Sequence, residues 1–321
     1  MAIPENLKSQ LRLPLIGAPM FIVSQPALVI AQCTSGIIGS FPALNARPQS
    51  LLEDWIRQIK DALAQYREEH PGVSVAPFAV NQIVHASNTR LYADMETCVK
   101  HEVPIIITSL RPPDEVVQAV HGYGGLVFHD VISLRHAQKA MQQGVDGIIA
   151  VCAGAGGHAG LLSPFALLKE IRREFDGVLI LSGCMSNGAD ILAAQAMGAD
   201  LAYMGTRFIA TDEAHAMNEY KQMIVDSKAA DIVYSSYFSG VAGNYLKGSV
   251  TRAGFDADHL PEGDLSSMDF GKGDANEVKA WRDIWSAGQG SGSVDAVLPV
   301  AELIRRMQEE YQQARTRLAA G

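Results

Sequence analysis

The chain has 321 residues, 48% of them apolar and 19% charged, with a net charge of −9. That size and balance supply a large buried core and exclude a disordered or fibrous protein, and the acidic balance without any basic run argues against a nucleic-acid surface. No apolar run reaches membrane-spanning length, residues 1–6 lack a signal-peptide pattern, and Cys33, Cys98, Cys152 and Cys184 are too scattered for a zinc or redox motif, so a cytoplasmic protein with no metal site is expected.

Through the first two thirds, short apolar and β-branched runs alternate with amphipathic segments of helical length. The predicted strands are 13–20, 36–42, 73–80, 103–110, 125–132, 145–151, 178–183 and 201–208, and the predicted helices between them include 49–69, 133–143, 164–174 and 188–197. Ser133, Ser163 and Asn187 stand at helix starts as capping residues. Eight strand–helix units of this kind predict a (β/α)8 barrel of the TIM type, whose sites lie at the C-terminal ends of the strands. A doubly wound open sheet alternates in the same way, but it carries its glycine fingerprint after the first strand. Here the first predicted strand ends in Gly17-Ala18-Pro19-Met20, and the glycine-rich turns follow strands six, seven and eight.

Past Thr211 the pattern changes. A helical segment at 212–228 gives way to a Gly-, Ser- and Asp-rich stretch at 235–276, and an amphipathic helix at 300–318 closes the chain. The expected organisation is a barrel of residues 1–211 and 293–321, with residues 212–292 as a mostly helical inserted lid subdomain over the site-bearing rim.

Three turns carry the chemistry. After strand six, Ala155-Gly156-Gly157-His158-Ala159-Gly160 holds a histidine among glycines that let backbone approach a flat ligand. A histidine placed there titrates near neutral pH and can act as a general base; the alternative is a solvated histidine in a surface turn. After strands seven and eight come Ser182-Gly183 and Gly205-Thr206, small residues suited to a phosphate held by backbone N–H groups, or alternatively to helices crowding the rim. His129 and Asp130 end strand five and face the same rim. His85, His121, His136, His215 and His259 read as surface or helix residues, and Trp55, Trp281 and Trp285 as helical packing.

Taken together, the motifs resemble those of the nitronate monooxygenases (2-nitropropane dioxygenase-like proteins), FMN-dependent barrels. The resemblance runs nearly end to end: Ala18-Pro19-Met20 with Ser24, the run Gly39 to Asn45, Asn81 after strand three, the Gly-Gly-His turn, Ser182-Gly183, Met204 to Phe208, Tyr220-Lys221, Asn244 to Lys247, and Ala287 to Gly290. It implies His158 as the catalytic base or polar partner. It further implies Ala18, Pro19 and Met20 along the flavin ring, Asn81 hydrogen-bonded to the cofactor, and Gly156 and Gly157 leaving room for the ring. Ser182, Gly183, Gly205 and Thr206 would hold the phosphate, with Gln289 as a weaker cofactor contact. Cys184 departs from the pattern, standing where many relatives carry a second glycine.

The implied reaction oxidises alkyl nitronates with O2 to carbonyl compounds and nitrite, with nitroalkanes and propionate 3-nitronate among the implied substrates. The implied assembly is a monomer or homodimer. The rival reading inside flavin chemistry is an NAD(P)H-dependent reductase of quinones or enoyl thioesters. Outside it stand a phosphosugar isomerase or lyase on the same barrel, which needs no flavin, and a non-catalytic flavin-binding protein.

Overall fold

Each of the eight apolar runs supplies one parallel strand: β1 (Leu15–Gly17), β2 (Gly39–Pro42), β3 (Phe78–Val84), β4 (Ile105–Leu110), β5 (Leu126–Val131), β6 (Gly147–Val151), β8 (Val178–Ser182) and β9 (Leu201–Met204), with a two-residue strand β7 (Gly157–His158) between β6 and β8. The computed structural model describes residues 3–111, 114–263 and 282–320. The strands pair in the order β1-β9-β8-β6-β5-β4-β3-β2. Its two edges meet at the parallel bridge Ile16↔Ile38, where the Gly17 N–H donates to the Ile38 carbonyl at 2.8 Å and the Ile38 N–H to the Leu15 carbonyl at 3.1 Å. The sheet thereby closes into a TIM-type barrel.

Helix α1 (Glu5–Lys8) precedes β1. Around the outside run α2 (Pro26–Thr34), α3 (Leu51–Glu69), α4 (Leu91–Lys100), α5 (Asp114–His121), α6 (Leu134–Gln142), α7 (Pro164–Arg172) and α8 (Gly188–Ala196). Helix α3 shows why they lie there: Leu52, Ile56, Ile59 and Leu63 recur on one face and are buried, while the opposite face is charged. The Ser133 hydroxyl accepts from the His136 N–H at the start of α6, and Asn187 and Asp190 form a reciprocal capping box at the start of α8. Ser163 occupies the cap position of α7 without a side-chain hydrogen bond, and Pro164 opens that helix.

Inside the barrel the two-residue period of the strands builds layers. Ile16, Ile38, Ala79, Ile105, Ile107, Phe128, Ile149, Val178, Ile180 and Leu201 form one apolar cluster, joined by Ile3 and Leu7 of the N-terminal segment, so that α1 packs on the same core as the lower strand residues. Going on to the next inward positions, the side chains become Asn81, Ser109, Asp130, Ser182 and Tyr203, and these line a cavity instead. Strand three lies later than the apolar run at 73–80 suggests. Residues 73–77 are buried in part but make no ladder, and Pro77 lacks the N–H a ladder position needs. Asn81 therefore sits within β3 rather than after it.

After β9 come α9 (Thr206–Ile209), α10 (Asn218–Asp226), the hairpin β10 (Ile232–Ser235) and β11 (Gly243–Leu246), α11 (Lys247–Arg252) and the closing helix α12 (Val300–Ala319). Within the segment expected as an insertion, helices are thus accompanied by a hairpin, whose strand β11 also pairs antiparallel with β7. Trp281 and the rest of 264–281 lie outside the described residues. Trp285 is buried, stacked on Tyr220 at 4.7 Å between centroids, with the Arg252 guanidinium 3.6 Å from its ring centre. No helix among the described residues is long and apolar enough to cross a membrane.

The packing of α8 on α12 depends on Gly188, where a Cβ would run into the Met307 carbonyl of α12. Overpacking against backbone cannot be relieved by a rotamer change, so Gly188→Val is expected to destabilise the fold by about 3 kcal/mol. The midpoint of urea unfolding measures this, and an unchanged midpoint would show that the two helices separate at little cost.

Candidate active site

The rim at the C-terminal ends of the strands encloses a cavity of about 320 Å³, within the usual range for small-molecule and cofactor sites. Ala18, Pro19 and Met20 line it from the turn after β1, Asn81 from β3, and Gly156, Gly157 and His158 from the turn after β6. Ser182 and Gly183 line it from β8 and its turn, and Gly205 and Thr206 from the end of β9 and the start of α9. These residues, distant in sequence, converge on one space. Gln289 does not join them. It is exposed, and its side chain lies against Gly154 and Cys184, while its neighbours Gly288 and Gly290 face the cavity.

Glycines allow the loops to interlock. A Cβ on Gly156 would lie 2.8 Å from the Gly288 nitrogen and 3.0 Å from Thr206 Oγ1, so the turns after β6 and β9 and the 286–290 segment meet at one point. The Thr206 hydroxyl oxygen accepts from the Gly288 N–H at 2.8 Å. Gly183 has φ +133°, a conformation strained for an L side chain, and Cys184 beside it is held at φ +59°. Among the described residues, the backbone N–H groups of Gly183, Cys184, Gly205 and Thr206 donate to no other protein group. Such donors at strand ends and a helix start suit an anionic group. The Cys184 side chain leaves that backbone arrangement intact, its thiol donating to the Ala153 carbonyl at 3.4 Å.

His158 is half-buried on β7, held by its register with Gly243 of β11. The Asn244 amide secures the same loop by donating to the Ala155 carbonyl at 2.7 Å. His158 Nε2 lies 2.9 Å from Ser239 Oγ, which itself donates to the Val241 carbonyl at 3.0 Å and lies 3.1 Å from the Tyr245 hydroxyl. The Val241 carbonyl can only accept the Ser239 proton, and donation from His158 Nε2–H to Ser239 Oγ is compatible with that arrangement. Burial pushes the His158 pKa down to about 4, so the ring is neutral at neutral pH.

Sequence reasoning missed several lining residues. Ser109, Tyr203, Tyr220 and Ser286 face the cavity, and His136, an exposed residue of α6 as its sequence reading expects, borders it. Asp130, read from the sequence as facing this rim, does line it, and burial raises its carboxyl to about 6. His129, next to it, points away into the protein and lies 2.8 Å from Thr108 Oγ1. The missed signal was alternation: at successive inward positions of β3, β4, β5 and β9, apolar side chains give way to Asn, Ser, Asp and Tyr. No group of three or more metal-ligating side chains occurs among the described residues.

A family model described as nitronate monooxygenase matches residues 6–310. A nitronate monooxygenase of Paraburkholderia phytofirmans is 28% identical over 94% of this chain and 93% of its own. Among solved structures, a nitroalkane oxidase from Streptomyces ansochromogenes superposes with a TM-score of 0.77 at 21% identity, covering 97% of this chain and 99% of its own. A FabK from Thermotoga maritima superposes with a TM-score of 0.74 at 23% identity, covering 98% and 97%.

Proposed function

The chain belongs to the nitronate monooxygenase family and is a flavin-dependent oxidoreductase, and on that premise we propose that it binds FMN in the rim cavity and oxidises alkyl nitronates with O2 to carbonyl compounds and nitrite. The observation that carries this reading is the meeting, in one cavity, of a neutral histidine with the unengaged N–H groups of two consecutive strand-end turns. When bound, the flavin supplies the electron transfer and the reaction with oxygen.

The protein's own residues supply position and proton handling. Gly183, Cys184, Gly205 and Thr206 offer backbone donors to the phosphate, and Ser182 adds a hydroxyl beside them. Ala18, Pro19 and Met20 form an apolar wall for the ring, and the missing side chains at Gly156 and Gly157 leave it room. Asn81 contributes an amide. His158 takes the proton of a neutral nitroalkane, and Ser239, itself beside the Tyr245 hydroxyl, braces the imidazole at Nε2. The described residues of 212–292 act as the lid, bracing the histidine turn through β11. Among the described residues the turns after β8 and β9 offer one candidate phosphate cradle, and the sequence carries no separate adenosine-binding fingerprint, which favours FMN over FAD.

Heat release of the chromophore followed by chromatography is expected to yield FMN, and anaerobic addition of an alkyl nitronate is expected to bleach the flavin. Recovery of FAD would refute the single-cradle argument. Bleaching by NAD(P)H and not by nitronate would instead assign the cavity to a reductase.

A further inference from the structure

The mechanism above leaves Asp130 and Ser109 without a task, although both line the cavity. They form a chain with Asn81. Asn81 Nδ2 donates to the Ile107 carbonyl at 3.2 Å and to Ser109 Oγ at 2.9 Å, and Ser109 Oγ donates to Asp130 Oδ2 at 2.5 Å. The direction of every bond is forced. A carbonyl only accepts, so the end of the Asn81 amide at Ile107 is the NH2 group. An ionised carboxylate also only accepts, so the Ser109 proton is committed to Asp130 and the serine oxygen receives the second Asn81 N–H. Both Asn81 donors are used inside the wall, and Oδ1 accepts from none of the described residues. Asp130 is further held by the backbone N–H of Leu110, a non-glycine residue at φ +81°. Strain of that kind persists only where the surroundings impose it.

We propose that Asp130 is a positioning residue that, through the Ser109 hydroxyl, locks the Asn81 amide with Oδ1 toward the cavity, so that this wall accepts a hydrogen bond from a ligand N–H, namely the imide N–H of a flavin ring. The assignment rests on the flavin reading above. Without the carboxylate, the serine proton is free to turn toward Asn81, and only the longer bond to the Ile107 carbonyl then opposes a second orientation of the amide that presents its donor end. An imide N–H then meets another donor in part of the population.

The test uses cofactor-free protein titrated with FMN and with 3-methyl-FMN, whose imide nitrogen carries a methyl group in place of hydrogen. The wild type is expected to prefer FMN by about tenfold, the value of one good hydrogen bond. Ser109→Ala and Asp130→Leu are expected to weaken FMN about tenfold while changing 3-methyl-FMN less than about twofold, and Ser109→Thr, which keeps the hydroxyl, to restore the preference. Should Asp130→Leu fail to fold, the Ser109→Ala and Ser109→Thr pair decides the matter. Equal weakening of both flavins in Ser109→Ala, or a wild type without preference, overturns the proposal. A wild type that binds neither flavin overturns the flavin reading itself.

Discussion

Replacing His158 with Asn is expected to lower kcat/KM on a neutral nitroalkane by about 10²–10⁴-fold, the usual worth of a positioned general base, while leaving bound flavin in place. The phosphate donors and the glycines that admit the ring are untouched by the change. Turnover of the matching preformed nitronate is expected to fall by much less, because that substrate arrives without the proton. The pH dependence follows from burial of the ring. With its pKa pushed down to about 4, His158 loses its proton as pH rises through that value, and only the neutral form accepts a substrate proton. The wild-type profile on the neutral substrate is therefore expected to climb through about pH 4 and to stay flat toward neutrality. Steady-state rates on both substrate forms check the argument. Equal losses on both would remove the base assignment and leave His158 a binding group.

Gly243→Val is expected to cost about 10²-fold on the same neutral substrate although Gly243 itself does not line the cavity. A Cβ at Gly243 would lie 2.7 Å from the Gly157 carbonyl oxygen and 3.2 Å from the His158 nitrogen, so β11 must move away from β7 to accommodate it. Displacing a catalytic group by about 1 Å carries a penalty of that size. The loss should show the same contrast between neutral nitroalkane and nitronate as His158→Asn, with FMN content near one per chain. Unchanged kinetics would mean that the β7–β11 pairing does not position the histidine. Loss of flavin would mean that the pairing instead holds the cofactor loops together.

The barrel was legible because its causes are local. Parallel strands buried on both faces read as short apolar runs, as in Val145 to Val151, and the helices between them announce themselves by stripes such as Leu52, Ile56, Ile59 and Leu63 and by caps such as Asn187. The glycine-rich turns after strands six, seven and eight were equally visible, since the need for positive φ or close approach leaves glycine in the sequence itself; Gly154, Gly157 and Gly183 all show positive φ. The boundary of strand three was less clear, because Val73 and Val75 are apolar for packing and form no ladder.

What only the tertiary structure decided depends on contacts between residues far apart in the chain. The bracing of His158 joins residue 158 to residues 239, 243 and 245, through short strands whose pairing leaves almost no period to read. Its depressed pKa arises from burial under those same elements, which a glycine turn cannot foretell. The Asn81, Ser109 and Asp130 chain unites three neighbouring strands at one height in the barrel, and height is fixed by register rather than by local pattern. Gln289 stands apart from the cavity for the same reason: its turn is adjacent, but the orientation of one side chain in a short 3-10 helix follows from the loops packed against it. Sequence by itself determined the barrel and the glycine turns, since backbone preference and burial act residue by residue; the fold alone determined which polar side chains meet inside it.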